Sequence, residues 1–349
     1  MINKNKPLLI YGAGTCGQDV AYYLMQNGYQ IEAFLDRSPK VPDIAGIPVM
    51  TLEDYLRAQH GKTRQIIIAM YNPTHSIKEV IVNLKQHSFL EIITMWSYKN
   101  QFLDAKIPHP DYFLTESKIA NAKKHIEKTY PLLSDQKSRD ILASVFEFRS
   151  TGNYEILLDY TSDQYVPSDL SRWPQKLRYI DCGAYTGDTI RLMMKNGYAF
   201  EAIAAFEPDL TVFNKLVSLI KDKPCIAFPC GVGSENKQYN FEKSVSGGSH
   251  VSPSGKDSIL IVRLDDALPN FKPNFIKMDV EGAERDALKG AGHILRACRP
   301  HMAIAIYHKS DDLWMIIDYL TELNLDYKFY IRSHLFNSYE LVLYAYPST

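Results

Sequence analysis

Two carboxylates, one just before a glycine turn and one at a set distance after it, are the first residues here whose types and spacing could do chemistry. In YIDCGAYTGDT, residues 179 to 189, Asp181 closes an apolar run, and Gly183, Ala184, Tyr185 and Gly187 lead into a helical pattern. An acid at that point would repel a pyrophosphate but suits a ligand carrying positive charge or an amino-acid moiety. Glu207 in AAFEPD follows Gly187 by 20 residues, the distance at which a carboxylate reaches ribose hydroxyls, and Pro208 stops the strand there. S-adenosylmethionine carries an ammonium, a sulfonium and a ribose with two free hydroxyls. These seven residues, Asp181, Gly183, Ala184, Tyr185, Gly187, Glu207 and Pro208, are therefore expected to bind it.

A second, differently built loop lies near the amino terminus. Gly12-Ala13-Gly14-Thr15-Cys16-Gly17 is a complete G-x-G-x-x-G, and Asp36 follows Gly17 by 19 residues. Such glycines permit a tight turn, backbone approach to a phosphate and close helix packing, with the helix N-terminus facing the anion. Gly12, Gly14, Gly17 and Asp36 form the expected nucleotide site. The alternative is a Rossmann-like scaffold that has lost its ligand.

Were the methyl group of such a cofactor to pass to a hydroxyl, the transfer would need alignment and a group that accepts the hydroxyl proton. Candidates sit at the carboxyl ends of strands: Asp279 and Glu281 in IKMDVEG, and His308 in MAIAIYH. His308 is the expected base, since an imidazole pKa near ~6.5 suits proton transfer at neutral pH; a histidine that merely packs at a strand end is the competing reading. Joint ligation of a hard cation such as Mg²⁺ by Asp279 and Glu281 requires the chain to turn at Gly282, and no metal is expected. Asp265 is expected to serve a turn or a cap, and Ser249 and His250, beside Gly247-Gly248, a surface loop.

The elements that must position these groups alternate as in an α/β protein. Strands are expected at 8–11, 31–35, 65–70 and 91–95, with helices after the first glycine loop and at 52–59 and 77–86, making a small doubly wound domain over 1–99. Residues 100–176, punctuated by prolines, read as a helical connector in which Ser134 could cap a helix bearing Ile141, Leu142, Val145 and Phe146 on one stripe. From 177 to 349 the alternation returns, with helices expected at 188–196 and 210–220, a single one near 284–297, and one at 311–322. The final strands, 327–331 and 341–346, have no helix between them and should form an antiparallel hairpin. The fold expectation is α/β, two Rossmann-like doubly wound domains, the second a class I methyltransferase fold.

On YIDCGAYTGDT, AAFEPD, VRLDDAL, IKMDVEGAE, LKGA and the terminal FYIRSH with ELVLYAY, the carboxy-terminal half resembles the FkbM family of S-adenosylmethionine-dependent methyltransferases. The resemblance implies O-methylation of sugars, glycans or related hydroxylated metabolites. Tyr185 departs from the Gly or Asn common in related methyltransferases. Residues 7 to 95, through LLIYGAGTCGQDVAYYL, AFLDRSP and IAGIPVMTLEDY, resemble the amino-terminal domain of bacterial sugar O-acyltransferases, which implies a nucleotide or nucleotide-sugar there. The alternatives from the residues themselves are an NAD-dependent oxidoreductase using the first loop, or a non-catalytic nucleotide-binding module.

The 349 residues carry 39 Lys and Arg against 40 Asp and Glu, a net charge of -1, which gives no electrostatic reason to expect nucleic acid. A small-molecule or glycan acceptor fits better, and a homo-oligomer is compatible with it. Five cysteines without a C-x-x-C pair indicate neither a disulfide framework nor a zinc site. MINKNKPLLIYGAG lacks the apolar region and cleavage site of a signal peptide, and no apolar run approaches the ~20 residues that span a bilayer. The expected location is the cytoplasm.

Overall fold

The computed structural model describes residues 2–58, 65–70, 74–105, 112–242, 250–251 and 257–348; the 247–249 part of the expected surface loop lies outside them. The chain divides into two compact units. The first comprises Met1–Lys123, Ala143–Asp159 and Leu335–Tyr339, the second Lys124–Leu142, Tyr160–His334 and Glu340–Thr349. The expected connector, 100–176, is thus shared between them. Among the described residues, no helix is long and apolar enough to cross a membrane.

In the first unit, strands β1 (Leu8–Tyr11), β2 (Ile31–Leu35), β3 (Asp43–Ile44), β4 (Ile47–Met50), β5 (Gln65–Ile68) and β6 (Glu91–Ile93) form one sheet in the order β3-β4-β2-β1-β5-β6. All neighbours run parallel except β3 and β4. Leu8, Leu9, Ile10, Ile66 and Ile67 are fully buried, the unbroken apolar run of strands covered on both faces. Helix α1 (Thr15–Gln26) buries Val20, Ala21 and Leu24; α2 spans Leu52–Ala58. Helix α3 (Ile77–Gln86) buries Ile77, Ile81 and Leu84, and Ser76 caps it by accepting from the Glu79 amide at 3.1 Å. The sixth strand is shorter than expected because Thr94 opens α4 (Met95–Gln101).

Helices α5 (Glu116–Thr129) and α6 (Gln136–Thr151) each pass through the division between units. The cap of α6 is Asp135, which accepts from the Ser138 amide at 2.8 Å. Ser134 instead pairs with the sheet, its Oγ accepting from the Phe329 amide and its own amide donating to the Phe329 carbonyl. Side chains of both types can cap; the sheet edge claims the serine.

The second unit is built on β7 (Lys176–Cys182), β8 (Ala199–Phe206), β9 (Cys225–Phe228), then β10 (Gly231–Val232), β11 (Lys237–Glu242), β12 (His250–Val251) and β13 (Asp257–Val262), followed by β14 (Phe275–Met278), β15 (His301–Ala305), β16 (Tyr327–Ser333) and β17 (Leu341–Pro347). Its main sheet has the order β16-β17-β15-β14-β7-β8-β9, while β10 to β13 make a separate four-stranded sheet. Strands β16 and β17 pair antiparallel as expected, from Tyr327↔Pro347 to Ser333↔Leu341. Because β17 is also antiparallel to β15, it is one reversed strand inserted into an otherwise parallel sheet, the class I methyltransferase layout.

Helices α7 (Asp188–Lys195), α8 (Leu210–Ile220) and α9 (Leu264–Ala267) precede α10 (Glu284–Lys289), α11 (Gly292–Cys298) and α12 (Asp312–Glu322). The single helix expected near 284–297 is two, because the carboxylate of Asp265 accepts from the amides of His293 and Ile294, each at 2.9 Å, and starts α11 afresh. Asp265 is thus a cap. Arg332, 2% exposed, lies against Asp135 at 2.6 Å and Asp169 at 3.0 Å and donates to Ser138 Oγ at 2.9 Å, tying the start of α6 to β16. His334, without an assigned partner in the sequence, meets Tyr344 Oη at 2.7 Å and the Thr161 carbonyl at 3.0 Å. Burial pushes its imidazole down to about 4, so it is neutral in the fold.

Candidate active site at the ends of β7, β8 and β14

Strand β7 lies between β8 and β14, and the chain leaves the pair in opposite directions across the sheet. Ligands of open parallel sheets bind at the carboxyl ends of strands at such a switch point. Here the two backbones nearly touch: a Cβ at Gly183, whose φ is +75°, would overlap the Asp279 carbonyl oxygen. Gly187, at φ +78°, opens α7 and faces Leu219, where a Cβ would also collide. At Gly183 the obstacle is backbone, and at Gly187 it is the left-handed φ with a leucine that would have to move, which is the physical content of the glycine spacing.

Lys277 stands opposite Asp181 in the β14–β7 register. Its Nζ is 3.4 Å from Asp181 Oδ1 and donates to the Gly183 carbonyl at 2.6 Å, with the ring of Tyr165 5.5 Å away. Asp181 is fully buried. Burial raises its pKa to about 6 against the opposing pull of Lys277; burial lowers that of Lys277, but Asp181 together with Asp279 and Asp188 outweighs it and the net shift is upward. The acid at the end of β7 does meet an amine, as its charge demands, but the amine belongs to the chain. Asp181 and Lys277 hold the loop from beneath.

Glu207 accepts one backbone amide on each oxygen: Tyr185 N on Oε2 at 3.0 Å and Asp209 N on Oε1 at 2.9 Å. Burial raises its pKa, and these two amides work against the rise. A carboxylate oxygen has two lone pairs, so each keeps one for a further donor, which fits a ribose with two hydroxyls. Ala184, fully buried, donates to the Phe206 carbonyl at 2.9 Å. Tyr185, at φ +46°, is 47% exposed, so its ring stands outward from the loop, and Pro208 is half-buried beside Glu207.

The expected chemical residues do come together. His308, 1% exposed, places Nε2 3.5 Å from Asp279 Oδ1 and 3.4 Å from Glu281 Oε2, while Nδ1 lies 2.9 Å from Glu284 Oε1. The backbone turns sharply at Glu281 (φ +53°) and Gly282 (φ +92°), and Lys309 Nζ donates to the Gly282 carbonyl. Tyr165 Oη donates to Asp279 Oδ2 at 2.9 Å. Gln164 and Tyr307 donate to Glu340.

This setting corrects the role expected of His308. Burial alone would lower its pKa, but Glu284, backed by Asp279 and Glu281, outweighs burial and pushes it up to about 10. An imidazole so held keeps its proton at neutral pH and is not a free base. Burial raises Glu281 to about 7 in spite of His308. Glu284 stays below the usual carboxylate value because His308 overcomes the upward push of burial.

Tyr165, Lys277, Glu284 and Glu340 were not assigned roles from the sequence. Glu284 carried a signal, as the last acid of K-x-D-V-E-G-x-E, and Lys277 as its first residue. Tyr165 and Glu340 are remote in the chain from the groups they serve.

In the first unit, Asp36 Oδ2 accepts from the Ala13 amide and Oδ1 from the Ser38 amide, each at 2.9 Å. This repeats the arrangement at Glu207: a carboxylate after the second strand bonds an amide of the first glycine loop and the amide two residues on. Gly12 has φ +110°, a Cβ on Gly17 would overlap the Gly12 carbonyl, and Gly14 faces open space.

Residues 181–329 match the family model of the methyltransferase FkbM domain. A 103-residue stretch is 32% identical to the hexuronic acid methyltransferase AglP of Haloferax volcanii, covering 27% of this chain and 43% of that protein. The chain therefore spans less than half the length of this curated relative. The crystal structure of the methyltransferase FkbM from Methylobacillus flagellatus KT superposes with a TM-score of 0.78 at 22% identity, over 98% of this chain and 90% of that one, so the fold is shared along nearly the whole length. Residues 181–329, the segment that matches the model of the methyltransferase FkbM domain, supply Asp181, Glu207, Asp279, Glu281, Glu284 and His308.

Proposed function

We propose that the chain is an S-adenosylmethionine-dependent O-methyltransferase acting on a hydroxyl of a sugar, glycan or related metabolite. The observation that carries this reading is Glu207, held by two backbone amides beside a glycine loop at the switch point of the sheet. Glu207 would accept the two ribose hydroxyls, and the loop 183–187, fixed from below by Lys277 and Asp181, would set the distance between cofactor and acceptor. S-adenosylmethionine supplies a methyl group that passes to an attacking oxygen as the carbon–sulfur bond breaks. Asp279, Glu281 and His308, joined by carboxylate-to-imidazole separations of 3.5 and 3.4 Å at His308, would meet the arriving oxygen, and their combined charge and hydrogen bonding would orient the acceptor hydroxyl. The sugar class is supported by the similarity to a hexuronic acid methyltransferase. Incubation with methyl-labelled cofactor and a panel of hexuronic acids, neutral sugars and nucleotide-sugars is expected to give a base-stable methyl ether on at least one acceptor. Labelling of none, in protein that binds the cofactor, would remove the catalytic reading in favour of a binding module.

The first unit supports a second ligand, a nucleotide or nucleotide-sugar, on the strength of the Asp36–Ala13 bond that mirrors Glu207–Tyr185. Titrating the full chain with UDP, a UDP-sugar and NADH, followed by intrinsic fluorescence, is expected to show binding of one class that weakens at least ~10-fold in Asp36→Ala, the equivalent of one lost charge-assisted hydrogen bond. Binding of NADH alone would favour the oxidoreductase alternative; binding of none would leave the loop a scaffold.

A further inference from the structure

We infer that Glu281 is the residue that accepts the proton of the acceptor hydroxyl, with His308 as the fixed cation that holds its carboxylate in place. The inference rests on the methyltransferase reading and gives Glu281 the role that His308, keeping its proton among three carboxylates, gives up.

Of those three carboxylates, the geometry leaves one for the acceptor. Glu284 is wholly buried, and its Oε1 meets both the Val280 amide and His308 Nδ1, each at 2.9 Å. Asp279 gives Oδ2 to the Tyr165 hydroxyl at 2.9 Å, and its Oδ1 is enclosed. The Glu281 side chain is 26% exposed and places Oε2 3.4 Å from His308 Nε2, which leaves Oε1 for a hydroxyl. Its place in the chain fits the same role. Glu281 and Gly282, both left-handed, follow the end of β14, two positions after Asp279, whose carbonyl oxygen packs against Gly183. Glu281 thus stands where β14 leaves the sheet, beside the loop expected to hold the methyl donor.

The surrounding charges suit a base that works near neutrality. Burial pushes Glu281 up to about 7; His308 opposes the rise, while Asp279, Glu284 and Glu340 add to it. Tyr307 keeps its proton, chiefly because it is buried, and Lys309 Nζ is turned to the Gly282 carbonyl. A carboxylate poised there takes a proton from a hydroxyl more readily than one in the ordinary range near ~4.3. In the step itself the hydroxyl proton passes to Glu281, the oxygen lone pair forms the new carbon–oxygen bond, and the carbon–sulfur pair passes to sulfur. Glu281 then returns its proton to solvent on its exposed side.

The test is steady-state methyl transfer from labelled S-adenosylmethionine to the same panel of hexuronic acids, neutral sugars and nucleotide-sugars, as a function of pH, alongside calorimetric titration with the cofactor. In the wild type kcat is expected to rise with pH through a midpoint of about 7, as the carboxyl ionises. Glu281→Gln should lower kcat ~100- to 10,000-fold and abolish that limb, with KM and cofactor affinity retained. Glu281→Asp, which keeps a carboxylate on a shorter stem, should recover part of the rate and the limb. His308→Gln removes the cation that opposes the rise, so the midpoint should move to higher pH by ~1 unit or more. Cofactor binding in each variant guards against misfolding. A merely structural Glu281 would instead raise KM and weaken cofactor binding together in Glu281→Gln, with the pH limb unmoved, and that result would overturn the inference. Equal kcat and the same limb in wild type and Glu281→Gln would also overturn it, leaving the methyltransferase reading intact. A wild type that binds cofactor and labels no acceptor would defeat that reading and the base with it.

Discussion

Gly183→Ala is expected to destabilise the second unit by at least ~3 kcal/mol. The left-handed backbone costs a residue with a Cβ about 1 to 2 kcal/mol, and the added carbon overlaps the Asp279 carbonyl oxygen. Relief would require β7 and β14 to separate at their carboxyl ends, where both strands are buried. Thermal unfolding should drop by roughly 6 to 12 °C for a unit of this size. Gly197 supplies the control: its φ is also positive, +82°, but nothing lies within 4 Å of its Cβ position. Gly197→Ala should cost only the backbone strain. Equal melting shifts for the two variants would mean that β7 and β14 do not approach as described.

Lys277→Met is expected to cost about 3 to 5 kcal/mol at pH 8, the usual penalty for removing one partner of a buried ion pair. It strands the Asp181 carboxylate, fully enclosed, and takes away the donor to the Gly183 carbonyl. The penalty should depend on pH. The folded pKa of Asp181 is already raised to about 6 with Lys277 present, and loss of the lysine raises it further. A carboxylate whose folded pKa exceeds its unfolded value favours folding when protonated, so stability falls as pH rises toward the folded pKa. The variant's deficit should therefore be smaller at pH 5.5 than at pH 8, by denaturant unfolding at both. Asp181→Asn combined with Lys277→Met should recover part of the loss. A deficit unchanged by pH or by the second substitution would show that Lys277 acts through packing alone.

Most of the framework could be seen in the sequence because its signals are local. The alternation of apolar runs with helical stripes placed the parallel strands, and the absence of a helical pattern before 341 placed the reversed strand. Glycine positions marked both loops, since a missing Cβ is a sequence property and the close approach that requires it follows. What escaped were relations between distant segments. Nothing local distinguishes Ser134 from Asp135 as the cap of α6; Phe329, far along the chain, decides it. Tyr165 touches Asp279 across 114 positions. The charge state of His308 escaped for the same reason: an imidazole's ordinary pKa is a residue property, but three carboxylates around it are a tertiary one. Lys277, within a motif that was noticed, could have been paired with Asp181 by aligning the two strands.

Whether the carboxy-terminal unit holds S-adenosylmethionine by Glu207, as proposed, is tested most directly by calorimetric titration of the full chain with that cofactor. Hydrogen bonds to a charged acceptor contribute about 1.5 to 3 kcal/mol each, so losing two ribose contacts in Glu207→Ala should weaken binding by ~100-fold or more, with the fold retained by circular dichroism. One cofactor per wild-type chain and that loss in the variant are the results expected. No binding by the wild type, or the same affinity in Glu207→Ala, would contradict the account.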